Sequence, residues 1–424
     1  MRNMKRHAPE VGRGRVFGTS PFQWSLVFQM LALCAWALWA PNAGALGLLI
    51  PNQDASAIAR GNAFVATADN PSAIYYNPAG ITQLEGEHIQ AGSLLYLGIY
   101  GDYESPSGTT VHNNAEVLAA PTLQYTFSPE GLPLSFGLGV YEPFGFSVDW
   151  PNSTPFRQEA MQGHLDYLTI NPVVAWKVVP SLSIAAGPTF NYSTVDFIQG
   201  LLPVPYPSIP GAQAEFKGDN WSCGFNAGVL WQPLPQWSFG ASYRSSSRSD
   251  YQGHFIEQSP LGYNSFAASS SIDFPQMAIG GISFRPTPKW NIEFDLNWAD
   301  WSSVNALAVP QQNVLNRPLD WNSTFMYEIG VTRSFDNGYY LSVGYFFSPA
   351  STSTQYFTPL VPDTDLHVGS VGGGYKGKHW DWAAAFQLIA GGWRSVTAEP
   401  PYGVVDGQYR LFTPTLSFTV GYHF

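Results

Sequence analysis

The chain has 424 residues, of which only 12% are charged and 15% aromatic, with 19 basic against 30 acidic side chains and a formal net charge of −11. That balance argues against binding nucleic acid or anionic lipid through bulk charge. The charged fraction is about half that of an ordinary globular domain.

Residues 1–45 read as an export signal. Arg2, Lys5, Arg6, Arg13 and Arg15 form a basic leader, Trp24 to Ala40 is an uncharged apolar run, and Ala43-Gly44-Ala45 is a small-x-small cleavage site. A membrane-spanning helix is the rival reading, but Pro41 and Asn42 follow the run at once, with no basic stop-transfer flank. Cys34 lies inside this leader, so Cys223 is the only cysteine expected in the mature chain. No intramolecular disulfide is then possible.

Residues 46–86 lack strand alternation. Leu46 to Ile50 is apolar, Ala55 to Ala68 is rich in small residues, and Asn70-Pro71 and Asn77-Pro78 are breakers. The segment is too small to fold alone. It is long enough to fill a barrel, and it is expected to be a plug.

Residues 87–424 read as strands separated by turn residues. The third is expected at 132–143, ending in a long loop over 144–163. Strands at 164–179 and 181–196 follow, then a second long loop at 197–219. Phe197 to Pro210 carries no charge, and exposed apolar surface of that kind marks a binding site. Phe197, Leu201 and Leu202 are therefore candidate ligand contacts, with 156–168 as the other side of a groove. In the strand at 236–258, Trp237, Phe239, Ala241 and Tyr243 face outward, which turns Ser242 and Arg244 inward. Arg248 shares that parity if no bulge intervenes. An inward arginine suits a carboxylate head group; an ion pair with Glu293, Asp295 or Glu328 is the alternative. Met277 and Ile279 are expected beside it as apolar neighbours.

Trp290, Ile292, Phe294, Leu296 and Trp298 alternate with Asn291, Glu293, Asp295 and Asn297. Four hydrophilic side chains on one face cannot meet lipid, so they line a lumen. The last ten residues put Leu416, Phe418, Val420, Tyr422 and Phe424 on one face and small polar residues on the other. Short turns alternate with long loops throughout. The reading is an all-β transmembrane antiparallel barrel of about 14 strands, over 87–424, plugged by a small N-terminal hatch. Such a barrel belongs in the outer membrane of a Gram-negative bacterium, with outer-membrane lipid around it. A monomer is expected, although no interface signal separates from the lipid-facing aromatics and the oligomeric state is left open by the sequence.

Three stretches resemble the FadL/OMPP1/TodX family of outer-membrane channels for hydrophobic compounds. They are Gly61 to Gly80 with its Asn77-Pro78-Ala79, Phe274 to Met277 continuing to Asn297-Trp298-Ala299-Asp300-Trp301-Ser302, and Pro359 to Asp365 before a glycine-rich strand. The resemblance implies passive uptake of long-chain fatty acids or other hydrophobic compounds. It also implies an external apolar groove, an internal pocket, a hatch gated near Asn77, Pro78 and Ala79, and lateral exit through a kinked third strand. Pro143, Phe144 and Gly145 match that kink, because proline lacks a donor and glycine is flexible. A general porin for polar solutes and a channel for neutral monoaromatic hydrocarbons are the alternatives. No nucleophile elbow, zinc-binding helix, P-loop or paired-cysteine motif is present. The chain is therefore expected to be no enzyme, with no cofactor and no metal.

Overall fold

The computed structural model describes residues 47–201, 212–260, 262–304, 306–307, 309 and 317–424. The leader at 1–45 and Leu202 lie outside them. Fourteen strands among the described residues close into one antiparallel ring. We number them β1 (Gly86–Tyr96), β2 (Leu118–Ser128), β3 (Leu134–Asp149), β4 (Gln162–Val179), β5 (Leu182–Gly200), β6 (Gln213–Leu234), β7 (Trp237–Arg244 and Ser247–Ser259), β8 (Gly262–Phe274 and Met277–Thr287), β9 (Trp290–Ala299), β10 (Thr324–Ser334), β11 (Tyr339–Ser348), β12 (Leu366–Lys376), β13 (Trp380–Gly391) and β14 (Gly407–His423). β14 pairs with β13 and also with β1, from Tyr96 opposite Thr415 to His88 opposite His423, which closes the ring.

The alternation has its expected consequence. Leu416 and Phe418 are exposed on the outside, whereas Thr415, Ser417 and Thr419 are buried inside. On β9, Glu293, Asp295 and Asn297 are buried while Ile292, Phe294 and Leu296 stay partly exposed on the other face. No helix among the described residues is long and apolar enough to cross a membrane.

The strand boundaries differ from expectation on one side. β3 does not end at 143 but continues to Asp149, β5 runs to Gly200, and β6 starts at Gln213. The long loop at 144–163 thus shrinks to 150–161. Phe197 is a buried strand residue, not a loop residue. Phe144, Val148, Tyr167, Phe197 and Phe216 of these strand ends are buried together in one apolar cluster.

Residues 48–84 are almost wholly buried against the inward faces of the strands. Two short helices organise them, α1 (Ala55–Ile58) and α2 (Ala73–Tyr76), followed by a 3-10 turn over Pro78–Gln83. Asp54 caps α1, its carboxylate accepting from the Ser56 and Ala57 amides at 3.0 and 3.1 Å. Glycines let the hatch approach the wall. A Cβ on Gly344 of β11 would lie 2.0 Å from the Arg60 carbonyl carbon, and one on Gly240 of β7 would lie 2.0 Å from the Val65 carbonyl oxygen.

Candidate functional site

The wall is interrupted between β2 and β3. Their ladder runs from Phe127 opposite Phe136 to Leu123 opposite Val140 and stops there. Above it, β3 keeps its ladder with β4, interrupted by a bulge in which Glu142 and Pro143 face the single residue Leu168, and its other edge bridges to the hatch at Leu49 opposite Phe144. An extra residue leaves its strand locally unpaired and bent, and a proline there has no N–H to donate. The hatch fills the vacated hydrogen bonds. Ile50 N donates to Pro143 O at 2.8 Å, Gly145 N to Leu48 O at 2.9 Å, and Gln53 Nε2 to Glu142 O at 2.7 Å. Pro143, Phe144 and Gly145 therefore sit at a kink inside a strand, not at a strand end.

A cavity of about 190 Å³ occupies this interruption. Buried Ala120 and outward Ala119 of β2 both line it, as do buried Leu165 and outward Asp166 of β4. Neighbouring residues in a strand point to opposite faces, so residues from both faces of the wall contribute to its lining. Buried Leu366, Ile389 and Thr413 line it as well. Leu360 to Asp363, in the loop between β11 and β12, form its roof.

That roof is held by a buried carboxylate. Asp363 accepts from the Ser351 and Thr352 amides at 2.7 and 3.1 Å, and Arg394 donates to the Asp363 carbonyl and to Thr352. Burial pushes the Asp363 carboxyl up to about 6, against the pull of Arg394 and the two amides. A carboxyl raised in the folded state favours the protonated fold. The loop is then most stable below pH 4, the ordinary carboxyl range, and loses stability as pH rises through 6. Amide exchange of Ser351 and Thr352, corrected for its intrinsic pH dependence, is expected to be roughly tenfold slower at pH 5 than at pH 7.5. Asp363→Asn should remove that difference.

Deeper inside, Arg244 of β7 lies opposite Met277 of β8, and Ser242 lies opposite Ile279. Together with Tyr75 of the hatch these four line one small hollow. Arg244 donates weakly to Tyr75 O at 3.4 Å, with its guanidinium 4.4 Å from the Tyr75 ring and 5.5 Å from that of Tyr141. Its Nε and Nη1 are buried without a partner. The expected alternative, an ion pair with Glu293, Asp295 or Glu328, is not formed among the described residues.

Two of those carboxylates are engaged elsewhere. Asp295 Oδ2 accepts from the Phe64 and Val65 amides at 2.7 and 2.8 Å. Glu293 Oε1 accepts from the Ala66 and Thr67 amides at 2.7 and 3.1 Å, and Oε2 from the Thr67 hydroxyl. Asn77 secures the other end of the hatch, its Nδ2 donating to Val65 O and to Val229 O of β6 at 2.8 and 2.9 Å. Its Oδ1 accepts from Ala79 N across Pro78, which opens the 3-10 turn. Alternation alone placed Glu293 and Asp295 in the lumen. Their role as anchors needed the position of the hatch backbone.

The remaining sequence candidates fall elsewhere. Arg248 does not share the lumenal face: the strand breaks at Ser245–Ser246, the parity flips, and Arg248 points outward to Asp250 and Asp273. Phe197 stacks on Phe146 at 6.2 Å and lines an apolar hollow with Leu48, Ile272, Val304 and Trp321. Leu201 packs, half-buried, on the same apolar cluster. Phe156, expected along the groove, is buried between Trp150 and Tyr103. No group of three or more His, Cys, Asp or Glu among the described residues is placed to hold a metal.

The family profile described as outer membrane protein transport protein (OMPP1/FadL/TodX) matches residues 36–399. The long-chain fatty acid transport protein of Salmonella typhi is 20% identical over 345 residues, covering 73% of this chain and 79% of the relative. The 47 kDa outer membrane protein of Pasteurella multocida is 20% identical over 384 residues, covering 82% and 88%. Among solved structures, a Pseudomonas aeruginosa FadL homologue superposes with a TM-score of 0.77 at 18% identity, covering 89% of this chain and all of the other. The Pseudomonas putida toluene transporter TodX gives 0.64 at 14% identity, covering 88% and 98%.

Proposed function

From the premise that this chain belongs to the OMPP1/FadL/TodX family of outer membrane transport proteins, we propose that it passes hydrophobic molecules inward and releases them sideways between β2 and β3. It is a channel and not an enzyme. The cavity at the Pro143 bulge, lined from both faces of the wall, supports this reading. A molecule in it would meet apolar residues of β2, β3 and the roof, then leave among lipid tails without crossing the polar periplasmic end. The driving force is transfer of apolar surface down a gradient. The hatch near Asn77 closes the direct axial path, which disfavours a general porin, since a polar solute needs an open wet lumen.

Long-chain fatty acids are the proposed cargo, with Arg244 as head-group seat and Met277 and Ile279 against the first carbons. Buried guanidinium N–H groups without partners are costly unless an acceptor arrives. Neutral hydrocarbons are the second reading, because neither Lys nor Arg lines the cavity at the bulge.

Uptake of labelled oleate and toluene, by cells lacking their own hydrophobic channel, tests both readings. Deleting Pro143 removes the extra residue of the bulge and should let β3 pair through. Uptake of either cargo is then expected to fall to the vector level. Unchanged uptake in the deletion variant would place the exit elsewhere, and uptake of toluene alone would select the neutral cargo.

A further inference from the structure

Carboxylates dominate the charge around the cavity at the Pro143 bulge. Glu142 on the bulge, Asp166 on the outward face of β4 and Asp363 in the roof all line it. His164 lines it too, its Nε2 3.1 Å from Asp166 Oδ2. Tyr96 of β1 faces Glu142, and Glu116, ahead of β2, is hydrogen-bonded to the lining residue Ser147. The hatch contributes Gly47, Leu49 and Ile50, none of them charged. Arg394, the cation beside the roof, is turned onto the Asp363 carbonyl and Thr352 and does not line the cavity. Arg244 lies in a separate hollow behind Tyr75 and Tyr141. The molecule therefore has a cation at its inner seat and carboxylates at its side exit.

We propose that this side exit is a charge filter, set chiefly by Glu142 and Asp166, which passes neutral amphiphiles and rejects ionised carboxylates. The inference rests on lateral release and adds the protonation state of the cargo. A fatty acid held at Arg244 as its carboxylate takes one proton from bulk water and leaves as the neutral acid. Like charges brought together are costly, and a free carboxylate meets at least two at this opening. Lower pH neutralises the guest. Protonation of His164, which sits on Asp166, also reduces the negative field, so both changes act in the same direction. An aliphatic alcohol of the same length carries no charge and escapes the filter.

The test compares initial uptake of labelled decanoic acid and decanol between pH 6.5 and 7.5, with vector-control uptake subtracted and outer-membrane protein levels matched. The neutral fraction of an ordinary carboxylic acid changes about tenfold per pH unit in this range. The acid-to-alcohol uptake ratio is expected to rise several-fold as pH falls. At pH 7.5 the ratio should increase about threefold or more in Glu142→Gln and again in Glu142→Gln with Asp166→Asn, with a flatter pH dependence. A ratio independent of pH in the unaltered protein, with decanol taken up, would overturn the filter and leave lateral release standing. A steep ratio unaffected by both variants would also overturn it, since the selectivity would then belong to the membrane. Uptake of neither compound above the vector would overturn both the filter and the channel reading.

Discussion

Arg244→Ala is expected to weaken binding of oleate to the purified protein by about 10- to 100-fold, and to leave binding of a hydrocarbon of similar length far less affected. The estimate follows from the worth of hydrogen bonds to a charged group, about 1.5–3 kcal/mol, at roughly 1.4 kcal/mol per tenfold. The guanidinium is buried, it makes one long bond to the Tyr75 carbonyl, and its Nε and Nη1 have no partner. An incoming carboxylate would replace nothing better than that bond and the contacts with the two rings. Arg244→Lys keeps the charge but loses the planar fork, so it should recover only part of the affinity. Isothermal titration against oleate and the corresponding alkane separates the outcomes. Equal losses for both ligands would mean that Arg244 supports the packing of Tyr75 and Tyr141 instead of holding a head group.

Asp295→Ala is expected to loosen the hatch. The Phe64 and Val65 amides would each lose their acceptor while buried, at about 1–3 kcal/mol apiece. Some of that loss is returned, because Asp295 lies near Glu293 and Glu328 and removing it relieves like-charge repulsion. Adding Glu293→Ala strips the Ala66 and Thr67 amides as well. The double variant should therefore show protease cleavage within 47–84 and admit small sugars to proteoliposomes, with the barrel still intact on a gel. Asp295→Asn retains one acceptor oxygen and should fall between. A double variant as protease-resistant and as tight to sugars as the parent would show that glycine-mediated close packing alone holds the hatch.

The alternation of apolar and polar residues determined a great deal by itself. It put Glu293, Asp295 and Arg244 inside, gave the barrel and about its number of strands, and set 46–86 apart because that segment does not alternate. These are local properties, since each strand must hide its polar face from lipid whatever its neighbours do. Among the readings that failed for lack of a local signal, two concern candidate site residues. The break at Ser245–Ser246 reversed the parity of Arg248, and one slipped residue is enough to turn a side chain to the other face. Phe197 was read as an exposed loop residue, although it is buried against Phe146 from another strand. Only the tertiary structure decided what the inward groups touch. It gave Glu293 and Asp295 to the hatch amides, left Arg244 facing two aromatic rings, and ended the β2–β3 ladder at Val140, where a cavity lies. Those pairings join residues up to 231 positions apart. Periodicity fixes the face of a strand on which a residue lies, and the closure of the ring decides which partner waits there.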